Sequence, residues 1–227
     1  MTKKNFIPLI RFYDITSTDD YFNKVKPYEK ILSEELRDDI LKFYMVPGYR
    51  PAYIPRGVMI NQNHAALFAN WIDRKNEGIK CIKDNPYQFN LLYKASRDGN
   101  IAAEFHAKCD NKGATIVIVK IKNSEQIVGG YNLLFWDSYS GCMYTNDSFI
   151  FSFTDQNDLQ SSKVVYSNGY QYPSVQSFLA SGPVFSSDLL YDPTVDSWRS
   201  KVYSFPVLNL PEIFKADDYE VFQVIKK

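Results

Sequence analysis

The sequence predicts an α+β fold in which two antiparallel β-sheets pack face to face as a sandwich, with helices at the margins and short helices before it. Apolar residues recur at helical spacing only up to residue 109, and strand-like segments follow one another from residue 115 onward. The 17 Tyr and 16 Phe also suit the half-buried surface of strands better than that of helices.

Two short helices are predicted near the N-terminus. Thr16 can cap the first, and Ser33 can cap the second, whose first turn carries Glu34 and Glu35 at the positive end of the helix dipole. Pro47-Gly48 ends the second helix. Two such helices cannot enclose a core by themselves, so they require another surface on which to pack.

A segment rich in Pro and Gly, residues 47–59, is predicted to be a linker that holds the N-terminal helices loosely. A third helix follows it, capped by Asn61 or Asn63, with Phe68 and Trp71 on its buried side. After a strand near Phe89–Tyr93, a helix capped by Asp98 is predicted to carry a buried stripe. Its members are Ile101, Phe105 and Cys109.

Six strands are predicted after Gly113. Residues 123–125 connect the first two as a short hairpin. The predicted strands are Thr115–Ile121, Ile127–Phe135, Ser148–Phe153, Lys163–Ser167, Trp198–Phe205 and Tyr219–Ile225. The last of them is expected to pair in the centre of a sheet.

Length and composition exclude several classes of protein. A chain of 227 residues can bury roughly 70% of its unfolded surface. Lys plus Arg equals Asp plus Glu at 26 each, which leaves no large basic field for nucleic acid. Three cysteines at wide spacing do not make a disulfide framework or a zinc cluster. We therefore expect a cytoplasmic protein that needs no cofactor or metal and does not insert into a membrane.

A series of short motifs resembles the TLDc domain, the module named for oxidation-resistance proteins, over residues 60–227. The motifs occur in the family's order. They are Ser96-Arg97-Asp98-Gly99, Gly129-Gly130-Tyr131, Trp136, Ser148–Phe153, Gly182-Pro183-Val184-Phe185, Asp188-Leu189-Leu190 and the closing Asp218–Phe222. Where animal members often have a glycine run before the Gly182 region, this chain has Tyr172-Pro173-Ser174-Val175.

The N-terminal segment resembles the end of the BACK helical region of fungal BTB–BACK–TLDc proteins. Arg11-Phe12-Tyr13, residues 24–28 and Tyr49-Arg50-Pro51 carry this likeness. The resemblance implies a BACK-like remnant at residues 1–46, the linker at 47–59 and a TLDc domain at 60–227, with the BTB part missing.

Arg97, Asp98, Asp218 and Glu220 are the candidate interaction residues. Ser96-Arg97-Asp98-Gly99 contains a nucleophile, a cation and an acid, yet Asp-Gly is also what a strand-to-helix turn requires. Arg97 can bind an acidic group of a partner through its guanidinium. The acids at the C-terminal end are expected to be solvated charges.

Four further residues are expected to have structural roles: Gly129 and Gly130 within a strand, as a bulge or close backbone approach, and Gly182 with Pro183.

His106 and Cys109 lie three residues apart on one predicted helix, as a Cys–His nucleophile pair could. Because Cys109 falls on the apolar stripe, we interpret it as a small core residue. His64, near the start of its helix, is expected to be solvated.

The resemblance implies a non-catalytic interaction module linked to resistance to oxidative damage, with the vacuolar proton-pumping ATPase as a partner. The alternatives are a substrate-receptor arm of a cullin-type ubiquitin ligase, implied by the BACK likeness, and a thiol-dependent enzyme using Cys109.

Overall fold

The computed structural model of the chain describes residues 21–46, 59–60, 62–75, 85–139, 141–169 and 171–227. The chain divides into two compact units, one of residues 1–70 and 75–85 and one of residues 71–74 and 86–227. The predicted cap Thr16 and nearly all of the predicted linker, residues 47–58, lie outside the described residues.

The described secondary-structure elements of the first unit are helical. A π-helical turn, Tyr21–Val25, and a 3-10 turn, Lys26–Ile31, precede helix α1, Glu34–Met45. Ser33 caps α1 as predicted, because its side chain accepts the Leu36 N–H at 3.2 Å. Helix α2, Gln62–Ile72, follows. His64 is only 3% exposed on this helix, so the prediction of a solvated histidine was wrong.

The second unit contains two antiparallel sheets of six strands each, which confirms the predicted α+β sandwich. The sheet-one strands are β1 Tyr87–Lys94, β2 Thr115–Ile121, β3 Ile127–Asn132, β5 Phe149–Phe153, β6 Lys163–Tyr166 and β12 Ala216–Lys226. The sheet-two strands are β4 Gly141–Met143, β7 Val175–Ser177, β8 Val184–Phe185, β9 Leu189–Asp192, β10 Ser197–Arg199 and β11 Ile213–Phe214. Sheet one has the order β1-β12-β2-β3-β5-β6, and sheet two has the order β11-β10-β9-β8-β7-β4.

Helices α3, Ala95–Asp98, and α4, Ala102–Cys109, connect β1 to β2, and a 3-10 turn at Leu159–Ser161 precedes β6. On α4, Phe105 and Cys109 are fully buried, as predicted. Ile101 lies before the first turn and is 55% exposed, so its assignment to the buried stripe was wrong.

The core between the sheets combines side chains from both. Val117, Tyr219 and Val221 of sheet one pack in the same buried cluster as Phe185 and Trp198 of sheet two. The prediction that the last strand pairs centrally is confirmed, because β12 lies between β1 and β2.

Sheet one is buried on its other face as well. The Trp71 ring lies 5.9, 5.6 and 5.9 Å, between centroids, from the rings of Phe149, Phe151 and Phe153. Burial on both faces explains why β2 and β5 read as nearly continuous apolar runs rather than as alternating ones.

Two predicted strands, Ile127–Phe135 and Trp198–Phe205, were too long by several residues, and in the excess part of each a side chain accepts backbone N–H groups. The Asn132 side-chain oxygen accepts the Leu134 N–H at 2.9 Å and so ends β3. After β10, the Asp188 carboxylate accepts the N–H groups of Tyr203 and Ser204 at 2.8 Å and of Phe205 at 3.2 Å. These amides are therefore not available to a strand partner.

Candidate functional site

The turn after β1 is held by Asp98. Its carboxylate accepts the backbone N–H of Lys94, the N-cap residue of α3, at 2.9 Å. Asp98 therefore stabilises the start of α3 instead of capping α4. The cap position of α4 is Ile101, without a side-chain hydrogen bond, and the prediction that Asp98 caps this helix was wrong. Gly99, with φ +94°, supplies the flexible residue expected of the turn.

Arg97 is used largely within this turn. Its guanidinium donates to both carboxylate oxygens of Asp98, at 2.9 and 2.7 Å, and to the Leu92 carbonyl at 3.1 Å. The hydrogen bond from Arg97 lowers the pKa of Asp98 to about 2 and raises that of Arg97. The Arg97 side chain is 49% exposed, whereas Asp98 is 8% exposed.

The acids at the end of the chain face Lys94. Its ammonium lies 2.7 Å from Glu220 and 3.2 Å from Asp218, and Lys94 and Glu220 are register partners in β1 and β12. Asp218 also accepts the Ser96 N–H at 2.9 Å and the Ser96 hydroxyl at 2.6 Å. The Glu220 side chain is 0% exposed and that of Asp218 is 17% exposed, so the expectation of solvated charges was wrong for both.

These charges balance one another. Lys94, Arg97 and Lys108 face Asp98, Asp218 and Glu220, with the Lys108 ammonium 3.6 Å from Asp98. The ion cluster joins α3 and α4 to β1 and β12. Of the four predicted interaction residues, Arg97 is the one with substantial exposure, and its charge is already shared with Asp98.

A group of buried rings lies next to this turn: Tyr93, Tyr191, Trp198 and Tyr219, here called the aromatic cluster. Each is at most 2% exposed. The motif around Gly99 reaches the cluster directly, because the Gly99 carbonyl accepts the Tyr93 hydroxyl at 2.5 Å.

The Gly182-Pro183 motif contacts the same cluster. A Cβ added at Gly182 would lie 2.8 Å from the Tyr191 ring, and the Pro183 carbonyl accepts the Tyr191 N–H at 3.1 Å. Gly182 and Pro183 therefore both contact Tyr191 closely.

Gly129 and Gly130 lie inside β3, where the sheet leaves no space for side chains. A Cβ at Gly129 would overlap the Val117 carbonyl oxygen, and one at Gly130 would lie 2.7 Å from the Phe185 ring. The pair is a close approach without a bulge, since the register of β3 with β2 and β5 is regular.

The Cys109 thiol is fully buried, and burial raises its pKa strongly. His106 contacts other groups: Nδ1 lies 2.8 Å from Asp110, and Nε2 lies 3.0 Å from the carbonyls of Phe178 and Ser181. This environment opposes thiolate formation and supports the interpretation of Cys109 as a core residue.

A groove of about 610 Å³ opens beside sheet two. Its lining combines aliphatic residues such as Leu190 and Leu210 with polar ones from the segment of residues 199–213. Three branched side chains of the lining are well exposed: Val202 at 55%, Val207 at 63% and Ile213 at 67%. The groove was not predicted from the sequence, because most of its lining comes from residues 199–213, where apolar residues show neither helical nor strand periodicity.

In the described part of the chain, no group of three or more His, Cys, Asp or Glu could hold a metal ion. None of the described helices is both long and apolar enough to span a bilayer.

Comparison with protein families matches residues 57–225 to the TLDc domain. A comparison with curated proteins found no match. TLDc domains are generally linked to oxidation resistance and to protein interaction. Since the match spans most of the sequence, the chain belongs to the TLDc domain family.

Proposed function

We propose that this chain is a non-catalytic, cytoplasmic interaction module that supports resistance to oxidative damage by binding a protein partner. The observation that carries the proposal is the TLDc match over residues 57–225. The side chains that could have supplied chemistry have other roles in the fold: Ser96 bonds Asp218, His106 bonds Asp110, and the Cys109 thiol is buried.

The groove beside sheet two is the surface we assign to the partner. Val202, Val207 and Ile213 present aliphatic area to solvent around a cavity large enough for side chains of another protein. Apolar side chains grouped at a concave surface are typical of recognition sites. Arg97 is less suited, because binding an acidic group would compete with Asp98 for its guanidinium.

Subunits of the vacuolar proton-pumping ATPase are the partners we propose. Affinity capture from a lysate of the source organism tests this with three variants. Val207→Glu and Ile213→Glu place a charge at the groove, whereas Val195→Glu is a matched control at an aliphatic side chain 51% exposed and outside the groove lining. We expect loss of pump subunits with the first two variants and normal capture with the third.

Capture of ubiquitin-ligase subunits in place of pump subunits would support the substrate-receptor alternative. Equal capture by all variants would refute the groove as the binding surface. To test the enzyme alternative, peroxide consumption is measured before and after thiol alkylation. Consumption that alkylation abolishes would contradict the non-catalytic proposal.

A further inference from the structure

The aromatic cluster consists of side chains that lose an electron more readily than other residues do. Ring centroids are 5.5 Å apart for Tyr191 and Trp198, 5.3 Å for Trp198 and Tyr219, and 5.1 Å for Tyr93 and Tyr219. Tyr191 and Tyr219 are 5.6 Å apart. At such separations electron transfer between the rings is possible, so a hole formed by oxidation of one ring can move to the others.

The three phenols of the cluster differ in the acceptor of their hydroxyl hydrogen. Tyr219 donates to the Tyr93 hydroxyl at 3.1 Å, and Tyr93 donates to the Gly99 carbonyl at 2.5 Å. Tyr191 donates to the Asp196 carboxylate at 2.9 Å and more weakly to the Asn100 carbonyl at 3.3 Å. A peptide carbonyl is a very poor base, whereas a carboxylate can accept a proton outright.

The surroundings of Asp196 suit a proton acceptor. The residue is exposed, so water can carry its proton away or return it. The Asn100 side chain donates to the same carboxylate oxygen at 2.6 Å and fixes its orientation towards Tyr191. Burial, together with Asp196, raises the pKa of Tyr191, so the resting phenol keeps the proton that the reaction needs.

We propose that Tyr191 and Asp196 form a one-electron donor site, in which an oxidising radical takes an electron from Tyr191 and Asp196 takes the phenol proton. This inference goes beyond the proposed function, because it requires no partner protein. When another ring of the cluster is oxidised first, electron transfer through Trp198, Tyr219 and Tyr93 moves the hole to Tyr191.

Atoms and charge balance in this step. The Tyr191 O–H bond breaks, one electron goes to the oxidising radical, and the proton binds the Asp196 carboxylate. A neutral phenoxyl radical and a neutral carboxylic acid result. A small thiol restores the resting state: it gives one electron to the phenoxyl oxygen, Asp196 returns the proton, and the thiol becomes a thiyl radical after releasing its own proton to water.

Flash photolysis tests the proposal on the intact chain. A short ultraviolet flash ionises indole side chains, and a scavenger removes the ejected electrons. Transient absorption then follows indolyl radicals as they convert to tyrosyl radicals. We expect a conversion phase that depends on Trp198 and Tyr191.

Asp196→Asn is the decisive variant, because an amide oxygen can accept the Tyr191 hydrogen bond but cannot take its proton. We expect this variant to slow the conversion several-fold while the far-ultraviolet circular dichroism stays unchanged. Tyr191→Phe should remove the phase, and Tyr139→Phe, at a tyrosine 89% exposed and outside the cluster, should leave it intact.

If Asp196→Asn converts at the wild-type rate, the carboxylate does not accept the proton and the proposal fails. Because Asp196 lies at the surface, this variant remains informative even if Tyr191→Phe disturbs the core.

Discussion

Gly130→Ala tests whether the two sheets are as closely packed as the structure indicates. The added Cβ would lie 2.7, 2.7 and 2.8 Å from three carbons of the Phe185 ring. Since carbon atoms pack at about 3.5–4.0 Å, the ring must move by about 1 Å. Phe185 is fully buried against Trp136, with centroids 5.6 Å apart, so the movement meets resistance.

Overpacking of this kind costs about 1–3 kcal/mol of unfolding free energy. Urea unfolding followed by tryptophan fluorescence measures it well, because all three tryptophans, Trp71, Trp136 and Trp198, belong to the sandwich unit. With a slope of about 2 kcal/mol/M, a loss of 2 kcal/mol moves the midpoint by about 1 M.

A double-mutant cycle identifies the cause. Phe185→Leu destabilises the protein by itself, but it also makes room for the methyl group that Gly130→Ala adds. We expect the double variant to lose less than the sum of the single losses, with a coupling of about 0.5–3 kcal/mol. Gly113→Ala is the control: nothing lies within 4 Å of its Cβ, and its cost comes from φ +71° alone. Additive losses for Gly130→Ala with Phe185→Leu would refute the close packing.

Three further predictions concern the site and the core. Asp98 has its pKa lowered from 3.8 to about 2, so its stabilisation is complete above pH 4 and is lost as pH falls towards 2. Asp98→Asn should flatten the fall in unfolding free energy over that range, and an unchanged slope would contradict the ion pair with Arg97. Iodoacetamide should modify the exposed Cys142 well before the buried Cys109 under native conditions, as read by mass spectrometry. Cys109→Ala should cost about 1 kcal/mol and leave protection against peroxide unchanged in cells with equal protein levels, whereas lost protection would favour thiol chemistry.

The sequence predicted best the long, buried strands, because such strands contain a long run of apolar residues. The bounds of β2 were predicted as found, since its apolar run is continuous, and the central place of β12 was also predicted correctly. Several strands of sheet two, such as Val184–Phe185, have only two to four residues, which is too short for a period to be recognised.

The candidate site was predicted less completely, because its residues meet through tertiary contacts. In the sequence, Asp218 and Glu220 cannot be distinguished from solvated acids. Only the pairing of β1 with β12 brings Lys94 within reach of their carboxylates. Asp188 was recognised as part of a motif, but its hydrogen bonds to the N–H groups of residues 203–205 were not predicted. They form only when the chain between these residues folds back, and no local sequence pattern indicates this.

The position of β12 also affects how the protein is made. Because β12 joins β1 to β2, sheet one has two separate parts until β12 has left the ribosome. A nascent chain must therefore hold β1, and the β2–β3–β5–β6 group, with open edges until β12 emerges. A ribosome that stops before β12 releases a chain in which β1 and β2 lack their shared partner strand, and such chains become substrates for chaperones and proteases.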